Sequence, residues 1–209
     1  MRRSKSSANQ APARKRGRPP EFQRGAALDA ALATFWQRGY SGASLDDLTT
    51  AMDLNKPSLY AAFGNKEQLY EAAVDHYVAN IGASYLAPLA APKLRAALDG
   101  FFDAMIDGVC GKHGPRGCIV ACTLPAEAGA SNAAQAKLAA VLAQLDGALV
   151  ARIAAAQQAG EIAKRRYVRA LGQLVTSGML ALSIRARAGA SKRALRAVAD
   201  EIVAATLAP

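Results

Sequence analysis

The sequence predicts an all-α protein, and three observations carry this prediction. Of the 209 residues, 52% are hydrophobic, mostly alanine and leucine, and only 6% are aromatic, which favours helices over a β-sandwich or barrel. Apolar residues recur at helical spacing over most of the chain from residue 27 onward. Glycine and proline stand between these stretches, where they end helices rather than interrupt them.

The first helix is predicted from an apolar stripe that stops at a glycine. The stripe consists of Ala27, Leu28, Ala31, Leu32, Phe35 and Trp36. Gly39 follows Arg38, and a glycine directly after the last periodic residues is the usual stop for a helix.

Residues 44–66 predict two short helices joined by a tight turn, with a further helix at the end. The cap and stop signals are Ser44, Asn55, Gly64 and Asn65. Asp46 and Asp47 would lie in the first turn of the second helix, where the helix dipole favours anions. Pro57 is tolerated in the first turn of the third helix, because that turn has no acceptor for its missing N–H.

The remainder of the chain predicts further helices separated by glycine and proline. They lie near 66–84, 93–110, 118–127, 132–159, 167–188 and 192–207. The 132–159 segment has a wide apolar stripe, and Gly172, Ser177 and Gly178 in the next segment would permit close approach of a neighbouring helix.

The positive charge is concentrated at the N-terminus. Residues 1–24 contain eight basic residues against Glu21 alone, so they hold seven of the ten net charges. Residues 1–20 have no apolar periodicity and are expected to be a disordered basic arm that neutralises phosphates. Arg16-Gly17-Arg18-Pro19 resembles an AT-hook core that inserts Arg16 and Arg18 into a minor groove; the alternative is a solvated tail that adds only nonspecific affinity.

Composition excludes several classes of protein. No run of 18 apolar residues lacks a charge, so no membrane span is expected, and no apolar segment follows the charged N-terminus as in a secretory signal. Three cysteines are too few for a secreted disulfide scaffold, so a cytoplasmic protein is expected. Neither a nucleophile elbow nor a phosphate loop is present, and an enzyme is not expected.

These motifs resemble those of the TetR family of transcriptional regulators. The matching residues are Phe35, Gly39-Tyr40, Ser44-Leu45, Leu48, Leu59-Tyr60, Phe63, Lys66-Glu67 and Leu69-Tyr70. The resemblance implies a three-helix helix-turn-helix DNA-binding domain at 21–66 behind the arm at 1–20. It further implies a helical effector-binding and dimerisation domain at 67–209.

The resemblance also implies roles for individual residues. Ser44 and Lys66 would contact the DNA backbone. The third helix would face the operator with Lys56, Pro57, Ser58 and Tyr60. Leu59 and Phe63 would pack inside, while Asp53 occupies the turn position where the family usually has glycine. Ala61 and Ala62 replace the usual larger reader, so at most methyl contacts with thymine are expected there.

The expected function is a repressor that binds a palindromic operator as a homodimer. The two copies would associate through the helices near 132–159 and 167–188. A small-molecule inducer or cysteine oxidation would release the repressor from DNA. The candidate pocket residues are Phe101, Phe102, Met105, Cys118, Cys122 and Met179, which core packing would explain equally well. The alternative function is an architectural DNA-binding protein without an effector.

The cysteines leave three interpretations open. Cys118 lies at a predicted helix start and close to Arg116, and both features would lower its pKa and favour a redox-sensing thiolate. Buried cysteine is also commonly a small hydrophobic residue. A zinc site formed by Cys110, His113, Cys118 and Cys122 is possible by ligand type, but glycines within the segment disfavour it. No cofactor or metal is therefore expected.

Overall fold

The computed structural model describes residues 21–111, 115–129 and 131–208, and these ranges contain helices, turns and no strand. Four helices form the N-terminal part: α1 (Glu21–Gly42), α2 (Leu45–Ala51), α3 (Lys56–Phe63) and α4 (Lys66–Tyr77). A π-helical turn (Val78–Gly82) and a short α5 (Ala83–Leu86) continue directly from α4, and a 3-10 turn (Ala87–Ala90) follows.

The C-terminal part consists of six further helices. They are α6 (Leu94–Val109), α7 (Ile119–Cys122), α8 (Leu124–Ala128), α9 (Asn132–Gln158), α10 (Val168–Arg187) and α11 (Lys192–Leu207). α10 packs against α9, α11, α6 and α7, so it forms the centre of this part. The all-α prediction is confirmed.

α1 bends at the glycine that the sequence marks as its stop. Gly39 has φ 72° and ψ 172°, which is not helical, and the chain turns there before α2. The predicted stripe is buried, except for the partly buried Ala27, and α1 packs against α4. Trp36 meets Tyr77 of α4 edge to face with ring centroids 5.3 Å apart, and Phe35 meets Tyr70 in the same way at 5.1 Å. α4 is therefore held against α1 by aromatic pairs.

The predicted caps are confirmed. Ser44 and Asp47 form a capping box at α2, Asn55 accepts a hydrogen bond from the Ser58 N–H at α3, and Asn65 forms a capping box with Gln68 at α4. Asp53 takes the left-handed conformation, with φ 51°, as expected for its place in the turn.

Two predicted helices are interrupted. The helix expected over 118–127 is two short helices, because Pro125 lacks an N–H and its ring crowds the carbonyl four residues earlier; the break falls at Thr123, with φ −127°. The helix expected over 66–84 leaves α-geometry at Val78, where the π-helical turn begins.

Glycines allow α10 to approach its neighbours closely. A Cβ on Gly172 would lie 2.5 Å from Val150 Cγ2 of α9, and one on Gly178 would lie 2.5 Å from Ile202 Cδ1 of α11. The expectation of close helix approach is thus met at both glycines.

Within the described ranges, one helix, α9, is long and apolar enough to cross a membrane. Only 17% of its most apolar 18-residue window is buried. It also includes Lys137, Asp146 and Arg152, and it packs against α8 and α10. The absence of a membrane span stays a prediction, which these charges and packing contacts favour.

Candidate nucleic-acid interface

α3 has one buried face and one exposed polar face. Leu59 is fully buried and Phe63 is 8% exposed, so both belong to the core, as predicted. The exposed side chains are Lys56, Pro57, Ser58, Tyr60 and Ala61, and Tyr60 is 46% exposed despite its aromatic ring. This face combines a cation, two hydroxyls and a methyl group, which are groups that bind phosphates and base edges.

Lys56, at the start of α3, is held by α2. Its Nζ lies 2.7 Å from Oδ1 of Asp46, and both side chains are at least half exposed. The hydrogen bond and the charge of Asp46 raise the pKa of Lys56. The lysine therefore stays charged. In the free protein its ammonium is paired with the Asp46 carboxylate, and a DNA phosphate would have to take the place of that carboxylate.

Ser44 is exposed, but its hydroxyl already has two partners. It donates to Asp47 Oδ2 at 2.7 Å and accepts from the Asp47 N–H at 3.1 Å. The Ser44 N–H also donates to Asp47 Oδ2, at 3.0 Å. The two bonds that this carboxylate accepts from Ser44 keep the pKa of Asp47 below its ordinary value, with a smaller contribution from Arg38 at 3.3 Å. A phosphate at this point would meet the start of α2 together with Arg38.

Lys66 lies at the start of α4, over the ring of Tyr40, with Nζ 4.5 Å from the ring centroid. A cation held against an aromatic face loses less side-chain entropy when it binds a phosphate than a free lysine does. The structure thus fixes Lys66 at the junction of α1 and α4.

Arg24 has a role that sequence reasoning missed, since it was counted only as part of the basic arm. Its Nη1 donates to the carbonyl of Ala62 at 2.9 Å, and its guanidinium lies 4.6 Å from the centroid of the Phe63 ring. Arg24 therefore fixes the last turn of α3 to α1. No pattern in the sequence pairs these positions, which are 38 residues apart.

Arg187, at the end of α10, joins the two parts of the chain. It donates to the carbonyl of Trp36 in α1 at 2.5 Å and to the carbonyl of Arg116 at 3.2 Å. Arg116 in turn donates to the carbonyls of Ala186 and Ala190. A change in the 116–118 segment can therefore reach α1 through one guanidinium. A basic residue in a last helical turn was the only signal of this role in the sequence.

A cavity of about 40 Å³ lies between the end of α4, the π-helical turn, α7, α9 and α10. Of the six predicted pocket residues, Cys118 and Met179 line it. Phe101, Phe102 and Met105 are fully buried core residues of α6 and line neither of the two cavities described here, and neither does Cys122. The other lining residues include Tyr77, Tyr85 and Gln144, which were not predicted.

A second cavity, of about 200 Å³, lies between α4, α8 and α9 and has an acidic wall. Its lining includes Glu67, Glu71 and Glu127, together with Tyr40 and Tyr70. Burial, with a smaller contribution from the charge of Glu127, raises the pKa of Tyr70 to about 12, while its hydrogen bond with Thr123 opposes the shift. The ammonium of Lys137 on this wall is bound to Asp75.

The predicted low pKa of Cys118 is wrong. The thiol is buried, and desolvation raises its pKa above the ordinary value, against smaller opposing hydrogen bonds. Arg116 is directed to the carbonyls named above. Burial also raises the pKa of Cys122, which is partly exposed, while the guanidinium of Arg187 opposes this shift. The helix that begins at Ile119 is a single turn and provides only a weak dipole.

Three predicted residues lie outside the described ranges: Arg16, Arg18 and His113. Among the described residues, no group of three His, Cys, Asp or Glu side chains could hold a metal ion.

Comparisons with known proteins agree with this geometry. Residues 27–73 match the model of the bacterial regulatory proteins of the tetR family, and residues 90–202 match a tetracyclin repressor-like C-terminal domain. The HTH-type transcriptional repressor ComR of Escherichia coli K12 is 35% identical over 190 residues, or 88% of this chain and 89% of ComR. The repressor BdcR of the same organism is 40% identical over 62 residues, or 30% of this chain and 32% of BdcR.

Solved structures extend the likeness to nearly the whole chain. Cysteine variants of the TetR-family regulator CifR, complexed with a 26-base-pair operator, superpose with TM-scores of 0.82 and 0.83 at 31% identity, and the match covers 90% of this chain and 99% of CifR. A helix-turn-helix with an exposed α3, a helical C-terminal part, and these matches lead to one conclusion: the chain belongs to the TetR family and is a non-enzymatic, DNA-binding transcriptional regulator.

Proposed function

We propose that the protein is a homodimeric repressor that binds a palindromic operator with α3 in the major groove. The observation that carries the proposal is the exposed face of α3, where Lys56, Ser58 and Tyr60 stand above buried Leu59 and Phe63. Ser44 and Lys66 flank this face at the starts of α2 and α4, as phosphate contacts would. The repressors ComR and BdcR are relatives of this chain, and CifR binds an operator.

A second copy of the chain would cover the exposed apolar face of α9 and α10. Leu174 is 43% exposed and Ile184 54% exposed on α10, and Leu138, Leu142, Leu145 and Val150 of α9 are only partly buried. Exposed apolar side chains on neighbouring helices are typical of an interface in soluble proteins. Two such chains, related by a two-fold axis, would place their α3 helices about 34–36 Å apart, one turn of DNA.

An effector would act from the cavity that Cys118 and Met179 line. Tyr77 forms part of this cavity at the C-terminal end of α4, whereas Lys66 stands at its N-terminal end, roughly 17 Å away along the helix. A ligand that binds more tightly when Tyr77 is displaced would tilt α4 and change the spacing of the two α3 helices. Release requires this difference in affinity between the two states.

Oxidation of Cys118 is a weaker candidate for the release signal. The thiolate is the reactive form, and burial disfavours it here. If oxidation is the signal, mild oxidant will weaken operator binding reversibly in the wild type but not in Cys118→Ser. If both proteins keep their operator affinity, release is left to a small molecule.

Footprinting tests the proposed binding mode. DNA from beside the protein's own gene is treated with hydroxyl radicals in the presence and absence of the protein. We expect two protected segments of related, inverted sequence with centres one helical turn or a multiple of it apart. A single protected segment without inverted symmetry would contradict the dimeric mode.

The architectural alternative depends on the basic arm. If the arm carries the binding, deletion of residues 1–20 will abolish it almost completely. If α3 carries it, the shortened protein will bind more weakly but will still prefer the operator over a scrambled duplex. The salt dependence of both proteins gives the number of phosphate contacts that the arm contributes.

A further inference from the structure

We infer that the effector is a small, neutral, mainly apolar molecule with one hydrogen-bond acceptor. This acceptor would accept a hydrogen bond from the hydroxyl of Tyr77. This inference rests on the proposed function, because it specifies the ligand of the cavity from which release would occur. It is carried by one buried hydroxyl without a partner and by the chemistry of the wall around it.

The unpartnered hydroxyl is that of Tyr77. The side chain is only 4% exposed, it lines the cavity, and its Oη has no hydrogen-bond partner. Cys118 and Tyr85 interact with this hydroxyl closely enough to help raise its pKa, but neither contact has the distance and angles of a formed hydrogen bond. An unpaired buried hydroxyl is unfavourable, so a ligand that supplies an acceptor gains from satisfying it.

The wall excludes a charged ligand. Among the residues that the structure describes, no Asp, Glu, Lys, Arg or His side chain lines the cavity. The three lining groups that could ionise are neutral, since burial raises the pKa of Tyr77 and Cys118 above the ordinary values and that of Tyr85 to about 12. A carboxylate or an ammonium would lose its hydration here without gaining a counter-charge.

Apart from the amide of Gln144, the rest of the wall is apolar. Val78, Leu86, Val120, Val141 and Leu145 line it together with Met179. The hydroxyl of Tyr85 lies over Gly108, where a Cβ would come within 2.2 Å of it, so it is packed against α6. A mainly apolar wall with a small number of placed polar groups is typical of small-molecule sites.

The volume of the cavity and the π-helical turn beside it favour a small ligand. The volume of about 40 Å³ is well below the roughly 150 Å³ of a cavity that binds benzene. Val78 and Gly82 belong to the π-helical turn, a geometry that often marks functional sites. A ligand of about six heavy atoms would therefore enlarge the cavity at this turn, next to Tyr77.

Methionine methyl NMR of the full chain tests the inference with defined probes. Cyclopentanone carries an acceptor, methylenecyclopentane has the same shape without one, and cyclopentanecarboxylate is charged. We expect cyclopentanone to shift the Met179 methyl saturably, with little effect on Met105, which lies outside the cavity. Cyclopentanecarboxylate should bind at least tenfold more weakly. A Met179 signal that none of the probes moves would overturn the inference.

Tyr77→Phe removes the hydroxyl and keeps the ring that packs on Trp36. It should weaken cyclopentanone about three- to tenfold, the effect of one hydrogen bond, and leave methylenecyclopentane within about twofold. Tyr167→Phe is the control, because Tyr167 is 69% exposed and outside the cavity. Equal affinity of Tyr77→Phe and wild type for cyclopentanone would refute the role of the hydroxyl.

Operator affinity, measured on the same samples, separates this inference from the proposed function. The NMR titration requires no DNA, so specific operator binding with an unmoved Met179 signal would refute only the ligand class. Absence of operator preference would refute the proposed function, whatever the titration shows. If the cavity is the site from which DNA is released, cyclopentanone at saturation will also weaken operator binding. Unchanged operator affinity at saturation would refute its role as the effector site.

Discussion

Lys56→Met provides the sharpest test of α3 as the DNA-reading helix. The proposed dimer would present two copies of Lys56, so the substitution would remove two phosphate contacts. Each contact contributes about 0.9 to the slope of log affinity against log salt, so the slope should become shallower by about 1.8. At about 0.15 M salt, relative to 1 M, this corresponds to roughly 30-fold weaker binding.

The ion pair with Asp46 reduces this loss. In the free protein Lys56 is 2.7 Å from the Asp46 carboxylate, and DNA must compete for the ammonium. Exposed pairs of this kind are weak, so the expected loss falls only a few-fold, to about tenfold. Asp46→Asn should act in the opposite direction, because it frees Lys56 and removes a negative charge from the DNA-facing side.

Fluorescence anisotropy with a labelled operator, at four salt concentrations, measures both quantities. Lys164→Met is the matched control, because it removes the same charge from an exposed position in the C-terminal part. If Lys56→Met and Lys164→Met change the affinity and the salt slope equally, Lys56 does not contact DNA and the assignment of α3 is wrong.

Three further predictions concern stability, α3 and the thiols. Gly172→Ala should lower the free energy of unfolding by about 1–3 kcal/mol, since its Cβ would lie 2.5 Å from Val150 Cγ2 of α9. Gly147→Ala is the control and should not lower it, because nothing lies within 4 Å of that Cβ. Chemical denaturation measures both free energies. Arg24→Ala should raise amide hydrogen exchange in the last turn of α3 and weaken operator binding several-fold, whereas unchanged exchange would exclude its clamping role. Iodoacetamide should alkylate Cys122 before Cys118 at pH 7, and the rate at Cys118 should still rise above pH 9 because its pKa is raised. Mass spectrometry measures alkylation at both thiols, and fast modification of Cys118 at pH 7 would contradict its raised pKa.

The elements and their ends could be predicted because their signals are local. Ser44, Asn55 and Asn65 cap helices through bonds to residues three positions away, and Gly64 ends α3 with a φ of 80°. A cap depends on its own turn and little else, so sequence is sufficient to find it. The buried face of α3 could be predicted from the spacing of Leu59 and Phe63, and its operator-facing residues from the resemblance to the TetR family.

The cavity and the thiol chemistry depend on distant contacts and could not be predicted. Phe101 and Phe102 have the composition of pocket residues, yet α6 lies within the core and buries both completely. Cys118 has a neighbouring arginine in sequence, but Arg116 binds carbonyls of α10 and its following segment. Arg187 reaches Trp36 across 151 positions, a pairing that no local pattern encodes.

Sequence-specific operator binding is the central claim, and the affinity ratio tests it most directly. The full chain is titrated, at one fixed salt concentration, with a duplex from beside its gene and with a scrambled duplex of the same composition. The account predicts at least about 10³-fold tighter binding to the native duplex. Equal affinity for the two duplexes would contradict it and would leave only nonspecific attraction between a basic chain and phosphates.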